Sequence, residues 1–233
     1  MLEAGVYEGL STVLRQPAGL LLLTGPAGSG KTTTIYACLN QVRTLGGRHI
    51  ITVEDPVEQV LPGIMQTEIN EARGLTYAEA TRHLLRQDPQ VLALGEIRDD
   101  STAQLAVRAA LTGHLVLSTL HAGSCRGVLE RLLTMCPDRY AVAASVSAVV
   151  NQRLLRKCCT QCAGRGCNAC LQSGYRGRMP VLEFLSLTSQ QRVQVREREL
   201  DGLQPEPTLA TAARALCASG LTTALEYERV LGI

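Results

Sequence analysis

A chain of 233 residues suits one α/β domain with an appendage, or two small domains. Its 45% hydrophobic and 19% charged residues exclude a disordered chain, and a net charge of +2 is too weak to call for a nucleic-acid partner. The first residues have neither a basic n-region nor an apolar h-region, and the longest small-apolar run, Ala141 to Val150, is about half a membrane span. A protein inside the cell is expected.

In chain order, Leu2, Val6, Leu10, Val13 and Leu14 share one helical face, and Pro17 ends that helix. Gly19 to Thr24 is an apolar run that reads as a buried parallel strand. Gly25-Pro26-Ala27-Gly28-Ser29-Gly30-Lys31-Thr32 follows and leads into a helix through Thr33. This is GxxxxGK[ST] between a strand and a helix N-terminus. Its glycines let backbone N–H groups turn inward around phosphate oxygens, Lys31 reaches the β/γ-phosphates, and Thr32 is placed to hold Mg²⁺.

His49 to Val53 reads as a strand ending in an acidic cluster, Glu54, Asp55 and Glu58. Carboxylates so close repel unless a metal or an arginine sits beside them. Ile64 to Ile69 is a candidate edge strand, and Thr76 to Gln87 an amphipathic helix closed by Asp88-Pro89. Gln90 to Leu94 is another buried strand. It ends at Gly95-Glu96, 65 residues after Lys31, where a Walker B acid would stand. Gly95 occupies the place where many such strands carry Asp. Ser101 to Leu111 is a helix with Ser101 as its expected cap, and Leu115 to Thr119 a strand flanked by His114 and His121. Strands alternating with helices predict a mostly parallel sheet, with the ligand at the strands' carboxyl ends. The phosphate loop, Glu54, Glu96 and His121 therefore share one rim. Arg73, Arg82, Arg86 and Arg98 are the arginines nearest this acidic region. The absence of Asn-Lys-x-Asp favours ATP over GTP.

Beyond Arg126 the texture changes. Val128 to Met135 and Tyr140 to Gln152 read as two packed helices, Met179 to Leu185 as a strand, and Thr188 to Glu199, Thr208 to Ala218 and Thr222 to Leu231 as helices. The expected division is a core over 1–135 and a helical region over 136–233. Five of the nine cysteines fall between Cys158 and Cys170. Cys159-Thr160-Gln161-Cys162 and Cys167-Asn168-Ala169-Cys170 are two CxxC pairs, a ligand set for one tetrahedral zinc in a loop at about 157–178. A zinc-dependent nucleic-acid binder is a competing reading, weakened by the scarcity of aromatics to stack bases.

Four ordered motifs carry a resemblance. Beside the phosphate loop, Ile51 to Glu58 resembles an "Asp box", Leu94 to Asp99 an atypical Walker B, and Leu111 to His121 a "His box". Gln87-Asp88-Pro89, the CxxC pairs, Gly174 to Arg178 and the closing Thr222-Thr223 helix match as well. Together they are similar to the type II secretion and type IV pilus assembly ATPases of the secretion ATPase superfamily. The resemblance implies a RecA-like ATPase working as a homo-hexamer. It would sit in the cytoplasm, peripheral at a bacterial inner membrane, and drive a platform protein that adds pilin-like subunits to a fibre. By resemblance, Lys31 and Thr32 bind phosphate and Mg²⁺, Glu96 orders the hydrolytic water, and Glu54 and Glu58 lie near the metal. His114 and His121 couple nucleotide state to the interface. The family's upstream domains supply arginines to the nucleotide, whereas this chain starts almost at the ATPase domain and is expected to be a fragment or a truncated product. Ala122-Gly123-Ser124 and Met179-Pro180 depart from the family pattern. The alternatives are a retraction or conjugation-type secretion ATPase, and a truncated homologue that binds nucleotide without hydrolysing it.

Overall fold

The computed structural model describes residues 4–232. Leu2 and the side chain of Arg73 lie outside the described residues. The first helix, α1 (Ala4–Arg15), buries Val6, Leu10, Val13 and Leu14. Strand β1 (Gly19–Thr24) is fully buried, and α2 (Lys31–Leu45) starts at the phosphate-loop lysine. Then come β2 (Ile50–Glu54), β3 (Met65–Glu68), α3 (Tyr77–Leu84), β4 (Val91–Leu94), α4 (Asp100–Leu111) and β5 (Leu115–Thr119). The second half contributes α5 (Cys125–Met135), α6 (Arg139–Ser145), β6 (Val146–Cys158), β7 (Tyr175–Ser186), α7 (Ser189–Glu197), α8 (Leu209–Ala218) and α9 (Ala224–Leu231).

The strands form a single seven-stranded sheet in the order β3-β2-β4-β5-β1-β6-β7. Neighbours from β3 to β6 pair in parallel, and β7 closes the edge antiparallel to β6. Alternation along each strand sends side chains to opposite faces. Leu20 and Leu22 join the core under α3 to α7, while Leu21 and Leu23 join the core under α1 and α2. Both faces are thus covered, and the central strands β1, β4 and β5 are buried along their whole length. A third, smaller core packs α8 and α9 on Leu155, Met179 and Val181.

Two elements correct the sequence reading. Tyr140 to Gln152 is not one helix: α6 stops at Ser145 and the chain continues as β6. Val146, Val149 and Val150 lie in the sheet core, so β-branched residues in a small apolar run favour the pleated surface. The sheet consequently runs on past residue 135. The α4 cap is Asp99, which accepts the Thr102 N–H at 2.8 Å, and Ser101 donates its hydroxyl to Asp99. Among the described residues no helix is long and apolar enough to cross a membrane.

Candidate nucleotide site and cysteine cluster

The carboxyl ends of β1, β2, β4 and β5 meet at one rim. A cleft there of about 180 Å³ is lined by Lys31, Thr32, Glu54, Asp55, Glu58, Tyr77, Gly95, Glu96, Thr119 and His121. The phosphate loop arches over β1. Gly25, Gly28 and Gly30 all have positive φ, a conformation glycine adopts without steric cost. At Gly25 a Cβ would also meet the Gln152 carbonyl at 2.3 Å. Lys31 Nζ donates to the carbonyls of Gly25 and Pro26, at 2.9 and 3.0 Å, across the loop's own concavity. Burial lowers the Lys31 pKa, Glu96 opposes that shift, and Arg153 adds to it. The Ser29 hydroxyl is buried without a hydrogen-bond partner. An orphaned donor and a lysine folded back on its loop are what a phosphate group would satisfy.

Around this cradle the acids separate into two environments. Glu54 is 6% exposed. It accepts from Tyr36 Oη, from Thr52 Oγ1 at 2.5 Å and from Gln66 Nε2 at 2.9 Å. Three neutral donors hold one buried carboxylate in place. Glu58 is exposed and accepts the Thr32 hydroxyl at 3.2 Å, and Glu54 lines the same cleft beside Thr32. Glu96 faces the cleft from the other side. Arg98 binds it directly and also reaches Asp55 at 3.5 Å, while His121 Nε2 lies 3.4 Å from its second oxygen. Hydrogen bonds to Glu96 raise the Arg98 pKa further.

Gly95 has a spatial reason. A Cβ there would lie 2.6 Å from the Tyr77 hydroxyl and 3.3 Å from the Val53 carbonyl. The Gly95 N–H bonds Val53 O at 2.8 Å, and Thr119 Oγ1 donates to its carbonyl at 2.8 Å. The site thus places a tyrosine where many Walker B strands carry Asp. Burial, then the charges of Glu96 and Asp55, push the Tyr77 pKa well above its ordinary value.

Not every expected residue joins the cleft. His114 stands at the opposite, amino end of β5, with Nδ1 2.9 Å from the Ala109 carbonyl. Thr33 is exposed on the first turn of α2, in a groove with Tyr7, Leu10 and Pro180. Pro26 and Ala27 form the exposed crest of the loop. Conversely, Tyr36, Gln66, Tyr77 and Gln152 touch the site without a motif to announce them. Gln152 donates to Ser29 O at 2.6 Å and accepts the Thr34 hydroxyl at 2.8 Å. Reading its segment as helix hid the strand pairing that brings it there.

The second cluster lies between β6 and β7. The Sγ atoms of Cys159, Cys162, Cys167 and Cys170 all lie within 4.8 Å of one another. The separations of Cys159 and Cys167, Cys162 and Cys170, and Cys167 and Cys170 are 3.9, 3.8 and 3.8 Å. A tetrahedron with Zn–S bonds near 2.3 Å has edges of about 3.8 Å. The geometry and the donor set fit a zinc ion. Backbone N–H groups of Gly166, Cys167 and Gly174 point at these sulfurs. Burial opposes ionisation of Cys170, but the N–H groups of Cys167 and Gly174 outweigh it and hold its pKa at about 6. Cys158 is outside the group. Its N–H bonds the Leu221 carbonyl, and the sulfur that joins Cys162, Cys167 and Cys170 is that of Cys159.

Comparison with known proteins gives the family. The type II/IV secretion system protein family, T2SSE, matches residues 3–229. The chain belongs to the type II/IV secretion system protein family. It is 42% identical over 241 residues to the type II secretion system protein HxcR of Pseudomonas aeruginosa, covering 97% of this chain and 51% of that protein. It is 39% identical over 247 residues to the type II secretion system protein E of Klebsiella pneumoniae, covering 94% and 50%. The chain thus spans about half the length of the curated relatives it matches. Among solved structures it is similar to the pilus retraction motor PilT with bound ADP, at a TM-score of 0.79 and 31% identity over 97% of this chain and 63% of that one. The Legionella pneumophila ATPase DotB shares the fold, at a TM-score of 0.74 and 22% identity over 97% and 62%.

Proposed function

We propose that this chain is the ATP-binding and hydrolysing motor region of a type II secretion or type IV pilus assembly machine. The observation that carries the proposal is the convergence of Lys31, Thr32, Glu54, Glu58, Glu96 and His121 on one cleft beneath a phosphate loop. ATP would seat its phosphates in the loop, releasing Lys31 from the Gly25 and Pro26 carbonyls. Thr32, with Glu54 and Glu58 beside it, would hold Mg²⁺, which supplies positive charge against the phosphate oxygens. Tyr36, Thr52 and Gln66 keep Glu54 in place. Glu96 orients the attacking water and accepts its proton. Arg98 already touches Asp55, so leaning toward that partner frees a Glu96 oxygen. His121 sits against Glu96 and senses its environment.

The cysteine tetrad would hold a structural zinc, since four thiolates leave no open position for catalysis. In this reading the chain works as a homo-hexamer at the cytoplasmic face of the inner membrane and acts on a platform protein, and the net charge of +2 gives no reason to add a nucleic-acid partner.

The test is turnover and nucleotide binding of the purified chain and two variants. Lys31→Ala is expected to lose both. Glu96→Gln is expected to keep binding and lose turnover by roughly 10²-fold or more, the reach of a positioned base. Equal phosphate release from the wild type and Glu96→Gln overturns the role given to Glu96.

A further inference from the structure

We infer that Arg153 is a ligand of the nucleotide's phosphates, supplied in cis from the strand beside the phosphate loop; this rests on the nucleotide site proposed above. Its own strand β6 and the loop after β5 converge on its guanidinium. Nη1 donates to Asn151 Oδ1 at 2.6 Å and to the Gln152 carbonyl at 3.1 Å, and Nη2 to the Gly123 carbonyl at 3.2 Å. Each anchor adjoins the phosphate loop. Asn151 pairs with Thr24, the residue before Gly25. The Gln152 carbonyl occupies the space a Gly25 Cβ would take, and its amide holds Ser29. Gly123 follows Ala122, whose N–H and carbonyl both bond Thr24 Oγ1 at 2.8 Å. Gly123 is also two residues beyond His121.

Charge makes the placement informative. Arg98, Arg156 and Arg229 each bind a carboxylate. Arg153 is half-buried, and its hydrogen-bond acceptors are all neutral oxygens. Among the described residues it makes no ion pair. Its positive charge acts on Lys31, against the larger opposing effect of Glu96, and burial weakens its hold on its own proton while the Glu183 carboxylate strengthens it. Two cations held together beside the glycine cradle repel each other, and a phosphate group seated there would join them. A guanidinium has five donors, and three hydrogen bonds leave it capacity for a phosphate oxygen. The competing role is structural, with Arg153 merely tying β6 to the loop after β5.

The test is equilibrium binding of AMP-PNP and ADP with Mg²⁺ to the whole chain, together with unliganded melting. Arg153→Met keeps the aliphatic stem. It is expected to bind AMP-PNP about 10- to 100-fold more weakly, the range for a lost charge-assisted hydrogen bond, with an unchanged unliganded melting temperature. Arg153→Lys is expected to regain part of that loss. Affinity within twofold of wild type in Arg153→Met, while Lys31→Ala loses binding, overturns the inference and leaves the nucleotide site standing. A weakened variant that melts earlier without nucleotide, and that Lys does not rescue, marks a structural role and also overturns it. A wild-type chain that binds neither nucleotide removes both this inference and the reading beneath it.

Discussion

At the scale of single residues, Gly95 and Tyr77 explain each other. The Tyr77 ring is 5% exposed and flanked by the Arg98 guanidinium at 5.8 Å, so it has little room to retreat. Its hydroxyl lies 2.6 Å from the Cβ that any other residue at 95 would carry. Gly95→Ala is therefore an overpacking change, expected to cost about 1–3 kcal/mol. Adding Tyr77→Phe removes the clashing oxygen and is expected to return most of that loss. Urea unfolding of the two single variants and the double variant checks this through their coupling. Additive losses would mean that the 2.6 Å contact is not what reserves position 95 for glycine. The functional consequence follows from the same contact. An aspartate in the Walker B manner has no room beside Tyr77, so the carboxylates available to a metal are those at the end of β2.

Among the elements, the parallel strands and the phosphate loop were legible because their signals are local. A buried strand reads as an apolar run, and GxxxxGK[ST] states its own geometry. What was not legible depended on pairing. Gln152 and Arg153 have no motif; they matter because β6 lies parallel to β1 in the register that sets Asn151 beside Thr24. The run before them, Ala141 to Ser147, satisfies a helix and a buried strand alike, and the chain uses both in turn. The site's supports, buried Tyr36 and half-buried Gln66, were illegible for the same reason: their value comes from Glu54, and α2, β2 and β3 meet only in the fold. The C-terminal helix offers another case. Glu226 of α9 is fully buried and binds Arg156 of β6 and Arg229. Burial pushes its carboxyl up, but Arg229 and Arg156 outweigh that and hold its pKa at about 2, against 4.5 ordinarily. A depressed carboxylate pKa gives stability that is full above the unfolded value and lost as pH falls toward the folded one. Allowing for the half-exposed arginines, that stability is roughly 2 kcal/mol. Glu226→Gln is expected to lose it at pH 7 and to converge on wild type between pH 4.5 and about 2. Urea midpoints at several pH values check the convergence, and a constant difference between the two proteins would contradict it.

The whole molecule is built from units of unequal self-sufficiency. The two sheet faces are covered by aliphatic cores that need no ligand. The cysteine loop has no such core: its own buried cluster is Cys159, Cys162 and Cys170, with Cys167 packed against it. Four sulfurs at about tetrahedral spacing repel once ionised, so a zinc ion among them would hold this loop closed. Removing zinc is thus expected to open the segment between β6 and β7 while the sheet persists. Arg165 is exposed in that loop, and its Nε binds the Cys162 carbonyl at 3.2 Å, a bond that lasts only while the loop is folded. Trypsin should cut there rapidly after chelation and slowly before it, because cleavage follows the population of the open form. The disturbance should extend to the start of α9. Two of its tethers leave the hairpin beside the cysteines: the Cys158 N–H to Leu221 O at 2.8 Å, and Tyr175 Oη to Thr223 Oγ1 at 2.6 Å. It should stop at the Arg156–Glu226 pair, which sits on β6 below the loop. Nucleotide binding, set by β1, β2, β4, β5 and the part of β6 at Gln152 and Arg153, should be unchanged. Zinc content, tryptic mapping and AMP-PNP affinity measured on one chelated sample decide the point. A resistant Arg165 without zinc would make the tetrad dispensable for the loop. Loss of AMP-PNP binding in step with zinc would instead make the loop part of the proposed nucleotide site.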